Sequence, residues 1–427
     1  MLLRSTALLL LLAAFALQAD AQTVSGRLVT SVFGWERTDT AGSTQHMRGY
    51  ENLQLNVAAG DFSFSTYMQG STDFSEAMEN DPQLRLFNAI LQWKNIGGLA
   101  DLKLGRQPVF GGVGYGTIDG ALLRMRPAGG VEVSAYAGGL TPPGQRTDFF
   151  QNLDHNWQTG AHVLLYLVRD TKIGISYMNR HRESTPYDGF RLDAQNTLAP
   201  QTIDYGSRAN QYGSVDVAWS NSGVWAFGRV DYDFNFERLS RAELAATYQA
   251  TPALGLTLDL AHREPTLAYN SYFRILEGEA NEEAVLGVDY RIHPMLTLNA
   301  RVSTVVYDED NALRVSLGGM CKYWSIMYTK DVSYDGDLDG FNVQAAYPFL
   351  DGMLVPHLGA VYSSYALSEN GDKTSTTAAV AGAMLRPWKK LSVDFEGQYV
   401  TNRIYKSDVR AFARINYWFS HTFGVGE

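Results

Sequence analysis

The chain has 427 residues, 45% of them hydrophobic and 12% aromatic, with 40 Gly, 24 Tyr and a formal net charge of −10. That acidic balance argues against nucleic-acid binding, and the single cysteine, Cys321, excludes an internal disulfide framework and a Cys-x-x-Cys-His haem attachment. Past the N-terminus no segment approaches the roughly 20 apolar residues of a spanning helix; the best, Ala161–Val168, has the length of a strand and contains His162.

The N-terminus carries the three parts of a secretory signal. Arg4 supplies the positive charge, Ala7–Leu17 the apolar stretch, and Ala19-Asp20-Ala21 a small-x-small cleavage site before Gln22. Residues 1–21 are therefore expected to be removed after Ala21, leaving residues 22–427 as one domain outside the cytoplasm.

From there the chain breaks into segments of alternating polarity, about 9–11 residues long, the length of a tilted membrane-crossing strand. The first runs over Thr23–Arg37 and ends in a polar loop through Thr44. In the second, Gly49–Ala59, the residues Asn52, Gln54 and Asn56 share one face, and Leu53, Leu55 and Val57 the other. A tight Gly60-Asp61 turn leads to the third, where Phe62, Phe64, Thr66 and Met68 alternate with Ser63, Ser65, Tyr67 and Gln69. An acidic loop with Asp73, Glu76, Glu79 and Asp81 precedes the fourth and fifth, Leu84–Lys94 and Leu99–Gln107.

The glycine-rich loop Pro108–Gly116 separates these from the sixth and seventh strands, Thr117–Arg126 and Val131–Ala137. The eighth and ninth are Trp157–Val168 and Lys172–Arg180, and the longest loop, His181–Asn210, follows them. The tenth and eleventh meet across Ser220–Gly223, a hairpin signal, and the twelfth ends at Thr251-Pro252.

The alternation is plainest in Ala253–Ser303. Leu254, Leu256, Leu258 and Leu260, then Leu286, Val288 and Tyr290, then Leu296, Leu298, Ala300 and Val302 mark one apolar face of three successive strands. Asp259, Arg263, Asp289, Arg291 and Arg301 fall on the other. Turn residues punctuate seven more segments, the last being Asp408–Phe419.

Short and long connections alternate along the whole chain. The expected architecture is all-β, an antiparallel transmembrane barrel of about 22 strands, within a range of 16–22. Its apolar face needs no cover in a bilayer, provided the sheet closes on itself. All eight tryptophans lie near proposed strand ends, the heights of two interfacial girdles.

In the last strand Val409, Ala411, Ala413, Ile415, Tyr417 and Phe419 alternate with Arg410, Arg414 and Asn416. This resembles the C-terminal insertion signal of Gram-negative outer-membrane barrels, with Ser420–Glu427 continuing beyond it. Gly105-Arg106-Gln107 at a strand end, followed by a glycine loop and Asp119-Gly120, is similar to porins. The resemblance implies an outer-membrane channel for small hydrophilic solutes, with outer-membrane lipid and the barrel-assembly machinery as partners and no cofactor. A second reading is a sheath around a multihaem cytochrome that carries electrons across the outer membrane. The TonB-dependent transporters resemble the chain less, because its first strand begins close to the expected cleavage site.

Charge on a lipid-facing position costs about 2–4 kcal/mol for Arg or Lys at the midplane, so charges mark the inward face. That assigns Arg27, Lys103, Arg124, Arg126, Arg229, Asp231, Arg241, Glu243, Asp259, Asp289, Arg291, Arg301, Arg314, Asp394, Glu396, Arg410 and Arg414 to the pore lining. Two readings stay open: a weakly anion-favouring pore, or a wall whose neighbouring opposite charges neutralise and brace one another.

Arg182, Glu183, Arg191 and Asp193 in the longest loop are candidates for an inward constriction; the alternative is a disordered surface loop. Asp335, Asp337 and Asp339 match the first half of an EF-hand calcium loop. The position of its bidentate glutamate holds Ala346, which favours a solvated acidic turn. His155, His162 and His357 stand in no Ser/His/Asp spacing, and no enzymatic activity is expected.

Overall fold

The computed structural model describes residues 21–76, 81–150, 153–183, 186–192, 197–203, 207–265, 279–308, 310–333, 336–366 and 371–424. The expected signal peptide lies outside the described residues up to position 20.

The chain forms strands almost throughout. The first nine are β1 (Ala21–Thr38), β2 (Ser43–Ala59), β3 (Phe62–Asp73), β4 (Gln83–Ile96), β5 (Ala100–Pro108), β6 (Thr117–Ala128), β7 (Val131–Leu140), β8 (Trp157–Leu165) and β9 (Thr171–Glu183). A hairpin, β10 (Tyr187–Leu192) and β11 (Leu198–Ile203), comes next. Then follow β12 (Ser207–Asn221), β13 (Val224–Asp233), β14 (Arg238–Thr251), β15 (Leu254–Arg263), β16 (Asn281–His293), β17 (Leu296–Val306) and β18 (Asn311–Cys321). The last six are β19 (Trp324–Ser333), β20 (Gly336–Ala346), β21 (Leu354–Tyr365), β22 (Thr374–Trp388), β23 (Leu391–Thr401) and β24 (Ser407–Gly424).

Twenty-two strands share one sheet, and β10 and β11 form a separate two-stranded one. Within the sheet β9 therefore pairs directly with β12. Strand β1 pairs antiparallel with β2 on one side and, from Ala21↔Gly424 to Thr38↔Ser407, with β24 on the other. First strand is thus bonded to last, and the sheet is a closed antiparallel barrel. Closure leaves no row of backbone donors and acceptors unpaired at an edge, the condition for a sheet to stand in hydrocarbon.

The contacts divide the chain into two units, β5–β13 with most of β14 in one, and β1–β4 and β16–β24 in the other. In both, alternation writes two faces. Side chains converge on the concave side of a curved sheet and spread apart on the convex side. The polar row is the buried one: Ser176, Ser214 and Asp231 in one unit, Asp331, Ser392 and Asn416 in the other. The apolar row, with Ile175 and Val215 in one and Leu286, Leu317 and Leu358 in the other, is exposed. Polar side chains therefore face inward and apolar ones outward.

Three expectations need correcting. The final strand does not stop at Phe419 but pairs on through Gly424. The long loop after the ninth strand is largely β structure, with β9 and β12 extended into it and the β10–β11 hairpin between them. The tryptophans do not all face outward. By register Trp93, Trp157, Trp219, Trp324 and Trp388 lie in the outer row, whereas Trp35, Trp225 and Trp418 share faces with Arg27, Arg229 and Asn416. Height along a strand does not fix parity, and an inward tryptophan serves as a platform: Arg27 lies 5.2 Å above the Trp418 ring and Arg48 5.2 Å above Trp35.

Candidate functional site

The inner wall carries its charges as pairs. In the unit of β1–β4 and β16–β24, Arg27 donates to Asn416 at 2.5 Å, Asn416 donates to Ser392 and Asp394 at 2.9 Å each, and Arg414 meets Asp394 at 3.0 Å. The buried Asp408 takes both Arg37 at 3.2 Å and Arg410 at 2.6 Å. Farther along, Arg301 pairs with Asp289 at 2.8 Å, Arg314 with Asp331 at 2.5 Å, and His357 with Glu396 at 3.2 Å.

The unit of β5–β13 repeats the arrangement. Arg229 forks onto Asp231 at 2.7 and 2.8 Å, Arg241 pairs with Glu243, and Arg263 meets Glu283 at 2.7 Å. Arg126 reaches Asp101 at 2.9 Å, and Arg124 and Arg126 flank Glu132 at 3.3 and 3.6 Å. Among the described residues Arg27, whose partner is the neutral Asn416, and Lys103, Asp259 and Arg291 make no ion pair. Opposite charges two positions apart on a strand, or facing across a ladder, lie at neighbouring points of one face. The same alternation that sends charge inward therefore lets it pair.

The glycine-rich loop Pro108–Gly116 folds onto this inner face. The Val109 amide closes its base by donating to Gly116 at 2.8 Å. Gly112 sits at φ +54°, and a Cβ there would run into the Ser176 side chain, so only glycine fits. The next amide, Val113, donates to the Ser176 hydroxyl at 2.9 Å, and Arg229 donates to the Gly112 carbonyl at 3.0 Å. Gln158 holds the Tyr115 carbonyl at 3.1 Å, with Arg180 5.0 Å over the Tyr115 ring. Val109 is buried with Ile118 and Tyr136 against Leu122, giving the loop a small apolar anchor. The sequence singled out this loop only as glycine-rich. A legible signal was the small wall residues Gly160, Gly174, Ser176 and Ser214 in the inward row, which leave room for a backbone to lie down.

On the opposite face, Arg106 and Asp119 stand opposite each other in register and pair through two bonds, at 2.7 and 2.8 Å, with neither side chain exposed at all. They share parity with Leu102, Leu104 and Leu123, the outer row. The loop after β7 covers them. Arg106 also donates to the carbonyls of Arg146 and Asp148, and its guanidinium lies 4.8 Å over the Phe149 ring. From the Gly105-Arg106-Gln107 and Asp119-Gly120 segments, Arg106 and Asp119 thus meet as a buried outer pair, a role that sequence parity alone did not show, while Gly105, Gln107 and Gly120 belong to the inner row.

Three of the four constriction candidates lie on strands. Arg182 and Glu183 end β9, Arg191 lies in β10, and Asp193 lies outside the described residues. Of the calcium candidates, Asp337 and Asp339 fall on the outer row. Lys330 approaches Asp337 and Asp339 at 3.6 and 3.1 Å, and Lys373 approaches them at 3.8 and 3.6 Å. Asp335 lies outside the described residues, among which no group of three His, Cys, Asp or Glu stands close enough to hold a metal.

No protein-family model and no curated protein matches the chain. Its backbone is similar to several solved structures. The P pilus usher (PapC) translocation pore aligns over 92% of this chain and 99% of its own, with 11% identity and a TM-score of 0.50. The FrpB iron transporter from Neisseria meningitidis aligns over 94% of this chain and 83% of its own, with 10% identity and a TM-score of 0.57. A mutant of the ferric enterobactin receptor (PfeA) from Pseudomonas aeruginosa aligns over 94% and 81%, with 10% identity and a TM-score of 0.58. At such identity the likeness establishes the fold, that of the large outer-membrane barrels.

Proposed function

We propose that the protein is an outer-membrane channel through which small hydrophilic solutes or ions diffuse passively, anchored by outer-membrane lipid after insertion by the barrel-assembly machinery. The observation that carries this reading is the polar inner face, most of whose assigned arginines are held against the wall by neighbouring carboxylates, as in the Arg229–Asp231 fork. A wall built so presents water with hydrogen-bonding groups and little net field. Of the two electrostatic readings of the sequence, it supports the braced, neutralised wall. The barrel-type neighbours support transport over an enzymatic role.

The test is single-channel conductance of the purified, refolded barrel in a planar bilayer under a salt gradient. A steady open conductance with a reversal potential near zero is expected. A folded but silent barrel overturns the reading and favours the cytochrome sheath, which haem co-purification then checks. N-terminal sequencing of the mature protein tests removal of the leader after Ala21.

A further inference from the structure

One part of the inner wall departs from the charged pattern. Between β18 and β23 the inward row passes through Met320, Asn342, Gln344, Gly359 and Val380 before it reaches the His357–Glu396 pair. These residues line a recess of about 580 Å³, within the size range of small-molecule sites, about 300–1,000 Å³.

Two glycines shape it. A Cβ at Gly382 would collide with the Phe395 carbonyl and stand 2.5 Å from Cε1 of His357, so the bare glycine leaves the imidazole its place against the wall. A Cβ at Gly359 would meet the Val343 carbonyl, Val380 and Gln344 at 3.7–3.8 Å, which is ordinary contact. The floor at Gly359 therefore accepts a side chain in ordinary contact, without disturbing the strands. Beside this apolar floor stands an acceptor: Glu396 takes a bond from Gln398 at 2.6 Å and faces His357 at 3.2 Å.

We propose that this recess is a binding station on the permeation route for a small amphipathic solute, an apolar ring or chain carrying a hydroxyl or amine head. The ring or chain sits over Gly359, Val380 and Met320, where it leaves water. The head donates to Glu396, and the amides of Asn342 and Gln344 bond any remaining polar atom. A fully hydroxylated sugar gains nothing from the floor, and an anion meets Glu396 as a like charge. A station on a passage must release what it holds, so the affinity is weak, with a dissociation constant on the order of a millimolar. This inference rests on the channel reading and gives it a class of solute.

The test is calorimetric titration of the intact detergent-solubilised barrel with tyramine, and with glucose as the wholly polar comparison. Wild-type protein should bind tyramine about tenfold or more tightly than glucose. Gly359→Leu and Val380→Phe, each filling the floor, should weaken tyramine about tenfold, with folding checked by circular dichroism, and Glu396→Gln should weaken it less. Equal binding of tyramine and glucose by the wild type, a comparison that needs no variant, overturns the proposal. So does unchanged tyramine binding in a folded floor-filling variant. Because the readout is binding, a barrel that holds tyramine yet carries no current in a bilayer retains the recess and loses the channel, and one that conducts without binding does the reverse.

Discussion

The tallest strands and the shortest solve one problem in opposite ways. Strands β24, β1 and β2 run for 18, 18 and 17 residues, and backbone groups along that length bond to the neighbouring strand. Their charges need no roof: Arg37 and Arg410 keep about a third of their side-chain surface exposed while flanking Asp408. Strands β5, β7 and β8 have only 9, 10 and 9 residues. Where those ladders stop, the connecting loops fold back, Pro108–Gly116 inside and the segment around Phe149 outside. Polar groups there are sealed by protein, and Arg106 and Asp119 are fully buried. Wall height and loop cover are thus interchangeable ways of keeping the backbone satisfied.

The largest test of that contrast is Arg106→Ala. Removing one partner of a sealed pair strands a buried charge and should cost about 3–5 kcal/mol, read as a lower urea midpoint for the barrel in vesicles. The matching change in the tall unit, Arg37→Ala, leaves Asp408 with Arg410 and should cost no more than about 1 kcal/mol. Equal losses at the two sites would erase the distinction between them.

Next in size is the uncovered outer face. Leu317→Arg places a cation where no loop shields it, and a loss of about 2–4 kcal/mol is expected in the same denaturation assay. A smaller loss would mean that Leu317 sits above the apolar zone. Smaller again is Gly112→Ala: the Ser176 side chain leaves no room for the methyl and the positive φ costs an L-residue about 1–2 kcal/mol, so the loop must lift off the wall. Its effect should be local: the inner loop loosens and open-channel current noise rises, while the urea midpoint moves little. The smallest effect is electrical. Asp231→Asn frees Arg229 from its carboxylate and should move the reversal potential towards anion preference, whereas a shift towards cations would show that another acid governs that stretch of wall.

Most of the wall was legible because a strand repeats every two residues, so a single charge fixes the direction of all its neighbours. Leu298 and Arg301 declare their faces from sequence alone, and the count of strands followed from turn residues such as Asn221-Ser222-Gly223. Loops carry no such period. That Pro108–Gly116 lies inward depends on Ser176, 64 positions beyond Gly112, and on Arg229, 117 positions beyond it, distances that local pattern does not span. The place of Arg106 was hidden for a related reason. Charge marks the inner face only where lipid is the alternative, and here a loop takes the place of lipid. The recess at Gly359 left no pattern because its defining feature is an absent side chain.

The seam between β1 and β24 has a consequence in time. Its partners are the most distant in the chain, Arg27 and Asn416 lying 389 positions apart, whereas every other wall strand meets a near neighbour in sequence. Bringing together ends that far apart costs about 5 kcal/mol of chain freedom before any bond forms. Hairpins along the chain can form first and shorten that search, so the seam should close last. Pulse-labelled hydrogen exchange during assembly should find β1 and β24 the last strands to gain protection, and early protection there would mean that an outside template holds the two ends together.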